Sequence, residues 1–272
     1  MRFDFHTHST CSDGSDTPEA LVRRARDIGV RFLALTDHDT MDGYQEAAAA
    51  GERYGVAILA GVEMDTEFPE ELHILGLGVN PASPVLVSAL NTARERRNLR
   101  NARMLSKLAA AGYDVSGRVA HGGTVTRLHI ARALVAAGHA SSLPEAFSRF
   151  LSRGGVGYCT VERFTPEQVI DIITAAGGIA ALAHPCHLAC PVHALVARLK
   201  DAGLGGIEAY YPTSTDGQTK LFLSLAKQYG LIVTAGSDYH GPERPRNPLG
   251  GAWIDVPELQ ATCEYFRAHI GI

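Results

Sequence analysis

Seven short apolar segments, separated by amphipathic helical segments, run through this chain of 272 residues. This alternation favours an α/β fold in which most strands are parallel. The predicted strands are Arg2–His6, Phe32–Thr36, Ile58–Glu63, Leu72–Val79, Ile179–His184, Ile207–Tyr210 and Ile232–Ser237. Seven strands of this kind predict a (β/α) barrel from which one unit is missing or distorted.

Two helix starts are marked by local sequence. Thr17-Pro18-Glu19 and Thr165-Pro166-Glu167 each place an N-cap threonine before a proline at the first helical position and a glutamate in the first turn. The second helix should stop at Gly177-Gly178, just before the next strand.

The segment between the fourth and fifth predicted strands breaks the alternation, because it contains helical patterns and no convincing strand. We therefore predict three parts: residues 1–83 form the first part of the barrel, residues 84–159 an all-helical insert that caps the barrel mouth, and residues 160–272 the second part. The alternative is a longer, irregular barrel crossover.

Composition limits the function classes and the compartment. A net charge of −4 argues against a generic nucleic-acid binder. The five cysteines are odd in number and form no disulfide framework, which favours a reducing compartment. The first residues lack the basic and apolar regions of a signal peptide, and no apolar run is long enough to span a bilayer. We expect a cytoplasmic protein with no membrane partner and no obligate protein partner.

Histidines and carboxylates concentrate where the predicted strands end, and in α/β barrels those ends form the functional face. His6 and His8 are two residues apart in an extended segment, so both side chains point to one side. The other candidates at strand ends and in the loops that follow are Asp13, Asp37, His38, Asp39, Glu63, Asp65, His184, Asp238 and His240. Asp37 and Asp39 have a competing role as loop-capping residues or as partners of metal ligands. Together these residues predict a divalent-metal centre.

His73 needs a separate argument, because it lies at the start of its predicted strand. If Ile58–Glu63 and Leu72–Val79 pair as an antiparallel hairpin, the start of one strand lies beside the end of the other. His73 then reaches the same face, at the cost of one antiparallel strand in the barrel.

The motifs resemble those of the PHP (polymerase and histidinol phosphatase) family. They are His6-Thr7-His8-Ser9, Asp13-Gly14, Leu35-Thr36-Asp37-His38, Gly61-Val62-Glu63, Ala183-His184-Pro185 and Gly236-Ser237-Asp238-Tyr239-His240. The resemblance implies a distorted (β/α)7 barrel that binds two or three divalent ions.

The resemblance also implies a ligand set. His6, His8, Glu63 and Asp238 would hold the first ion; Glu63, His73 and His184 the second; Asp13, His38 and His240 the third. Glu63, Asp238 and His184 would be the catalytic residues. A glutamate that bridges two ions leaves a bridging water of lowered pKa, a nucleophile at pH 7. Mixed nitrogen and oxygen ligands suit manganese, iron or zinc, and manganese is the first expectation.

The predicted insert supplies candidate substrate contacts. Thr126 is a plausible N-cap, and Arg127 in the following turn is a poor partner for the helix dipole unless an anion binds there. We expect Arg127, His129 and Arg132 to contact phosphate, with Tyr158 as a further substrate contact; the alternative is a solvated helix start.

Four basic residues share one face of the preceding helix: Arg96, Arg100, Arg103 and Lys107. This pattern predicts a solvated face, with a basic wall for an oligonucleotide tail as the alternative.

The insert motifs narrow the resemblance to PHP members that are 3′,5′-nucleotide bisphosphate phosphatases or 5′-to-3′ exoribonucleases. That resemblance implies removal of the 3′-phosphate from a nucleotide such as adenosine 3′,5′-bisphosphate, with short 5′-phosphorylated RNA as a further substrate. Two alternatives remain: a phosphatase of another metabolite such as histidinol phosphate, and a non-catalytic polymerase-associated module. Candidate leaving-group acids are metal-bound water, His129 and Asp65.

Overall fold

A computed structural model describes residues 1–119 and 123–270, and it contains a seven-stranded sheet whose strands follow one another in chain order. The strands are β1 (Phe3–Asp4), β2 (Phe32–Leu35), β3 (Ala57–Asp65), β4 (His73–Leu77), β5 (Ile179–Leu182), β6 (Gly206–Tyr210) and β7 (Ile232–Ala235). All seven predicted strands are present, and most are shorter than predicted.

The sheet curls until its first and last strands meet. Thr7 and Tyr239 form a parallel bridge, and the Phe5 amide donates to the Ala235 carbonyl at 3.1 Å. Neighbouring strands are parallel except around β4, which runs antiparallel to both β3 and β5. The prediction of a distorted (β/α)7 barrel with one antiparallel strand is therefore confirmed.

The β3–β4 hairpin brings His73 to the functional face as predicted. Asp65, at the end of β3, lies opposite His73, at the start of β4. His73 and the strand-end carboxylates therefore share one rim of the barrel.

Helices surround the barrel: α1 (Pro18–Asp27), α2 (Tyr44–Tyr54), α3 (Pro84–Ala110), α4 (Arg127–Ala136), α5 (Leu143–Ala146), α6 (Pro166–Ala175), α7 (Val192–Asp201), α8 (Asp216–Tyr229) and α9 (Pro257–Ile270). Thr17 and Thr165 cap α1 and α6 through side-chain hydrogen bonds, as predicted. Within the described part of the chain, no helix has the length and apolar character needed to cross a bilayer.

The predicted insert, residues 84–159, contains no strand within its described ranges 84–119 and 123–159. Its first helix belongs to two cores. Leu86 and Leu90, near the start of α3, pack in the barrel core, whereas Met104 and Leu108 pack with Phe150 in a separate helical cluster. The boundary at residue 84 therefore lies within a helix layer of the barrel, and the division into three parts stays a prediction.

Aromatic side chains fill the barrel below the histidine face. The Phe3 and Phe5 rings stack with centroids 4.1 Å apart, and Phe266 of α9 meets Phe5 edge to face at 5.3 Å. All three side chains are fully buried. This core holds the segment that carries His6 directly above it.

Candidate metal centre

Side chains from six of the seven strand ends meet at the mouth of the barrel in overlapping groups. In each group the potential ligand atoms lie within 4.8 Å of one another. The groups are His6, His8, Glu63 and Asp238; Glu63, His73 and His184; His8, Asp13, His38 and His240; and His38, Asp65 and His73. The structure thus brings together all nine residues predicted as metal ligands.

Glu63 lies at the centre of this arrangement. Its Oε1 lies 2.8 Å from Nδ1 of His73 and 3.1 Å from Nε2 of His184. Its Oε2 lies 3.3 Å from Nε2 of His6 and 3.2 Å from Nε2 of His8. Because the two oxygens face different histidine pairs, this carboxylate has the geometry of a bridging ligand.

Asp13 anchors the group farthest from His184. Its Oδ1 lies 3.1 Å from Nε2 of His240, and its Oδ2 lies 3.9 Å from Nε2 of His38. The Thr126 hydroxyl, at the N-terminus of α4, donates to Oδ2 at 2.8 Å. The helical segment therefore contributes directly to orienting a predicted ligand.

Glu208 on β6 orients two of the histidines. Nδ1 of His6 lies 3.1 Å from Oε1 of this carboxylate, and the backbone amide of His184 donates to Oε2 at 2.7 Å. A hydrogen bond from Nδ1 to a carboxylate leaves Nε2 free to bind a metal. We did not predict this role from the sequence, although a glutamate within a buried strand is itself an unusual signal.

Asp37 organises the loop between His8 and Asp13. It accepts hydrogen bonds from the Ser9 amide and hydroxyl at 2.7 and 2.6 Å and from the Ser12 hydroxyl at 2.6 Å. The alternative interpretation of Asp37 as a loop-capping residue therefore matches its contacts.

Two predicted ligands occupy backbone conformations that non-glycine residues rarely adopt. The φ angle is 29° at His184 and 52° at Asp238. Such strain persists where the surroundings enforce it, and it is concentrated at functional sites. Gly236, two residues before Asp238, must be glycine, because a Cβ there would lie 2.0 Å from Oε1 of Glu208.

Burial and mutual attraction shift the pKa values of the cluster in opposite directions. Burial alone would raise the pKa of Glu63 and Asp238, but the surrounding histidines hold both well below their usual range. Burial opposes the charge of His8 and His73, yet the neighbouring carboxylates raise their pKa to about 10 and about 9. The side chains therefore attract cationic charge, supplied by protons when no metal is bound.

Unpartnered atoms show that the site suits divalent ions. Nε2 of His6, Nε2 of His8 and Oε2 of Glu63 are buried without a hydrogen-bond partner. Burying such atoms is costly unless something binds them. Imidazole nitrogens and carboxylate oxygens in this mixture match the preferences of manganese, iron and zinc.

Comparison with known proteins agrees with this geometry. The PHP domain family matches residues 4–134. A 5′-3′ exoribonuclease, Rnm, from Escherichia coli is 38% identical over 250 residues, which cover 88% of this chain and 85% of the relative. The chain belongs to the PHP family.

Relatives within the family act on different phosphoesters. A phosphoribosyl 1,2-cyclic phosphate 1,2-diphosphodiesterase from Eggerthella lenta is 37% identical, over 88% of this chain and 94% of the relative. A 3′,5′-nucleoside bisphosphate phosphatase from Chromobacterium violaceum is 35% identical, over 94% of this chain and 93% of the relative. The chain is therefore a metal-dependent hydrolase of phosphoester bonds.

A solved structure shares the whole fold. An amidohydrolase from Chromobacterium violaceum, with bound sulfate and no metal, superposes with a TM-score of 0.89 at 32% identity. The match covers 98% of this chain and 96% of that structure. The barrel and the helical segment thus occur together in a related protein.

Seven of the nine candidate metal ligands of this PHP protein line a cleft of about 340 Å³. Arg127, Leu128 and Phe147 of the helical segment form one wall, and His187 and Arg244 line the cleft as well. Arg127 points into the cleft as predicted, and its Nη2 lies 2.5 Å from Oε1 of Glu71.

The other predicted substrate contacts do not line this cleft. His129 accepts a hydrogen bond from the Thr126 amide at 3.0 Å, so its ring caps α4. Arg132 pairs with Glu243 at 2.7 Å. Tyr158 lines a separate surface pocket with Lys107. Their prediction as phosphate or substrate contacts is not supported by these positions.

The structure also limits which groups could protonate the leaving group. Burial alone would raise the pKa of Asp65, but Arg97 and nearby histidines hold it well below its usual range, so Asp65 is a carboxylate. Burial lowers the pKa of His129, whose Nδ1 is engaged in the helix cap. Asp65 lines the cleft but carries no proton to donate, and His129 is not among the residues that line the cleft.

The expectation of a solvated basic face on α3 is wrong for Arg100, which is 6% exposed. Arg97, which we did not single out, is 5% exposed and pairs with Asp39 and with Asp65, the latter at 2.9 Å. Helix α3 crosses the rim of the barrel, where these aspartates require positive partners. Asp39 belongs to none of the ligand groups and pairs with Arg97.

Proposed function

We propose that this PHP protein removes the 3′-phosphate from 3′,5′-nucleotide bisphosphates, releasing a 5′-nucleotide and phosphate. The observation that carries the proposal is the overlap of the ligand groups, in which Glu63 belongs to two groups and His8 to two. Overlapping groups favour closely spaced ions, an arrangement suited to phosphoester hydrolysis. The bisphosphate specificity is supported by the bisphosphatase relative from Chromobacterium violaceum.

We assign three divalent ions to the site, with the nine ligands divided as the resemblance implies. Manganese is the first expectation, and iron and zinc fit the same donor atoms. When bound, these ions lower the pKa of water and neutralise phosphoryl charge. Glu63, Asp238 and His184 are the proposed catalytic residues. Glu63 belongs to two ligand groups, of which one also contains Asp238 and the other His184.

The protein's own groups hold this site in place. Glu208 fixes the His6 ring with Nε2 turned toward Glu63. The Tyr211 hydroxyl donates to Oδ2 of Asp238 at 2.9 Å, which leaves Oδ1 facing the histidines. Arg127 would contact the reacting phosphoryl group from the cleft wall after exchanging Glu71 for one of its oxygens, since a charged hydrogen bond to phosphate is of comparable strength.

A second candidate activity is 5′-to-3′ exonuclease action on short 5′-phosphorylated RNA. It is favoured by the Escherichia coli exoribonuclease relative. Hydrolysis of the first phosphodiester bond at the same site would then release a 5′-mononucleotide. A cytoplasmic location stays a prediction, consistent with five unpaired cysteines.

The decisive test is a metal-reconstituted assay with four substrates. These are adenosine 3′,5′-bisphosphate, histidinol phosphate, phosphoribosyl 1,2-cyclic phosphate and a 5′-phosphorylated oligoribonucleotide. We expect the highest kcat/KM on the bisphosphate and loss of all turnover in Glu63→Ala. Turnover of histidinol phosphate or of the cyclic phosphate alone would refute the proposal.

A further inference from the structure

A small cavity lies next to the metal cleft, between α3 and residues 160–164. The two spaces share Asp65 and Arg97 as lining residues. The charged residues that line the cavity are Arg96, Arg97, Arg100, Arg163, Asp39 and Asp65. The arginines outnumber the aspartates, so the cavity has a surplus of positive charge.

Two of these arginines have local partners. Arg97 pairs with both aspartates. Arg96 lies over the Phe164 ring at 5.0 Å and reaches the exposed Glu162 at 3.4 Å. Neither guanidinium needs a further anion.

Arg100 is different, because its charge is buried without a close carboxylate. Its Nε and Nη2 donate to the neutral Oδ1 of Asn101 at 3.3 and 3.1 Å. Among the residues that the structure describes, its Nη1 has one carboxylate within 4 Å, that of Asp65 at 3.9 Å, a distance too long for a hydrogen bond. Burial, together with the charge of Arg97, lowers the pKa of Arg100 to about 9. A buried cation of this kind is costly unless an anion binds it.

Arg163 faces the same cavity from the opposite side. It is half-buried, and across residues 1–119 and 123–270 its guanidinium makes no hydrogen bond or ion pair. Arg100, whose nearest carboxylate in the described ranges is 3.9 Å away, and Arg163 thus place positive charge with little local compensation beside the metal cleft.

We propose that Arg100 and Arg163 form a subsite for a second, non-reacting phosphoryl group of the substrate. The cavity has a volume of about 20 Å³, measured as the space in which the centre of a water molecule fits. This is enough for one phosphoryl oxygen, which is about as large as a water molecule. The remaining oxygens would lie toward the half-buried Arg163. This inference rests on the proposed function, because the reacting phosphate must lie at the metal cluster.

The geometry of Asp65 links the two phosphate positions. Its Oδ1 lies 3.3 Å from Nε2 of His73, and its Oδ2 lies 2.9 Å from Arg97 and 3.9 Å from Arg100. One carboxylate therefore separates the metal cluster from the subsite. A substrate with two phosphates on one nucleotide can place one group on each side of it.

The subsite also replaces the phosphate contacts expected from sequence. Arg127 and Arg132 both have carboxylate partners, Glu71 and Glu243. Each of these two guanidinium groups has a carboxylate at hydrogen-bonding distance, whereas in the described part of the chain neither Arg100 nor Arg163 does. The second phosphate is thus expected at α3 rather than at the start of α4.

The test compares two substrates with the same reacting group, adenosine 3′,5′-bisphosphate and adenosine 3′-monophosphate. In Arg100→Gln and in Arg163→Gln, kcat/KM on the bisphosphate should fall about 10- to 100-fold more than on the monophosphate, the loss expected for a charged hydrogen bond. Arg118→Gln removes an exposed arginine of the same helical segment and serves as the control. Arg163 has no partner to lose, so its variant should fold normally.

An equal loss on both substrates in both variants would refute the subsite, since it would indicate a positioning role through Asp65. Wild-type kcat/KM values on both substrates in both variants would refute the subsite as well. The same comparison of kcat/KM between a 5′-phosphorylated diribonucleotide and its 5′-hydroxyl form extends the test to RNA. It shows whether the phosphoryl group in the subsite can come from RNA as well as from a mononucleotide.

A binding measurement distinguishes failure of the proposed function from failure of the subsite. Inorganic sulfate should raise the Tm of the wild-type protein more than that of Arg100→Gln or Arg163→Gln, whatever the enzyme hydrolyses. If neither nucleotide is turned over but this difference persists, the proposed function fails and the anion site stands. Equal sulfate shifts in all three proteins would overturn the site itself.

Discussion

At the scale of single residues, the metal centre depends on side chains that set the direction of others. Glu63 faces both histidine pairs, while Glu208 and Gly236 decide where the His6 ring can lie. Metal affinity is therefore expected to depend on residues that bind no metal themselves.

Glu208→Gln should weaken metal binding about 10- to 100-fold, the usual effect of losing a group that orients a ligand. A glutamine has one acceptor oxygen for the two donors that Glu208 serves, Nδ1 of His6 and the His184 amide. Isothermal titration of Mn²⁺ into the metal-free protein measures the change. Glu258→Gln, on α9, is the matched control, because the Glu258 carboxylate accepts from the Tyr210 hydroxyl and belongs to none of the ligand groups. Equal affinities in both variants would contradict the role of Glu208.

Gly236→Ala should reduce both stability and metal content. The added Cβ would lie 2.0 Å from Oε1 of Glu208 and 2.3 Å from Cβ of His6, so one of these must move. Overpacking of this kind costs about 1–3 kcal/mol. Urea denaturation and metal analysis check the prediction. Gly217→Ala, at the start of α8, where the nearest atom to an added Cβ is Oγ1 of Thr215 at 4.0 Å, should lower neither stability nor metal content. A wild-type midpoint and metal content would show that the site relaxes freely.

At the scale of elements, the β3–β4 hairpin and the start of α4 complete the metal site. The antiparallel hairpin places His73 opposite Asp65, so that one strand contributes its first residue rather than its last. The N-cap of α4 contributes the Thr126 hydroxyl to Asp13. The helical segment should therefore influence metal binding as well as substrate choice.

Thr126→Val should destabilise α4 and loosen the ion held by Asp13, His38 and His240. Valine has the same shape but neither accepts from the Leu128 amide nor donates to Asp13. The lost cap alone costs about 1 kcal/mol. Thr126→Ser keeps both interactions and is the control. We expect fewer bound ions per chain by metal analysis in the valine variant, and an unchanged count would show that Asp13 needs no such partner.

At the scale of the whole molecule, charge burial ties folding to metal binding. The buried carboxylates raise the pKa of His8 to about 10 and of His73 to about 9 in the metal-free protein. A histidine with a raised folded-state pKa stabilises the fold below its unfolded pKa, and this stabilisation is lost as pH rises through the folded value.

The Tm of the metal-free protein should therefore fall steeply between about pH 7 and pH 10, the window set by these pKa values. The metal-loaded protein should show a shallower fall, because its ligand histidines are already neutral. Scanning calorimetry at fixed ionic strength measures both curves. His8→Asn, without metal, should have a shallower slope than the metal-free wild type; parallel curves for all three samples would contradict the linkage.

Local sequence was enough to predict the barrel and most of the candidate ligands at its strand ends, and the family resemblance implied how they divide among the ions. Strand alternation, the threonine caps and the spacing of His6 and His8 act over a few residues, and in a barrel of parallel strands the strand ends lie on one rim. All nine predicted ligands meet there for that reason.

Partners of buried charges were decided only by the tertiary structure. Glu208 is 202 residues from His6, and Arg97 is 58 from Asp39, so no local pattern pairs them. Arg100 looked like part of a solvated face, and α3 buries it against the barrel rim without a close carboxylate. A charge lowers or raises the free energy of folding according to what long-range packing places beside it. The sequence by itself thus predicted which side chains gather at the candidate metal centre, and packing decided which charges lack a close partner.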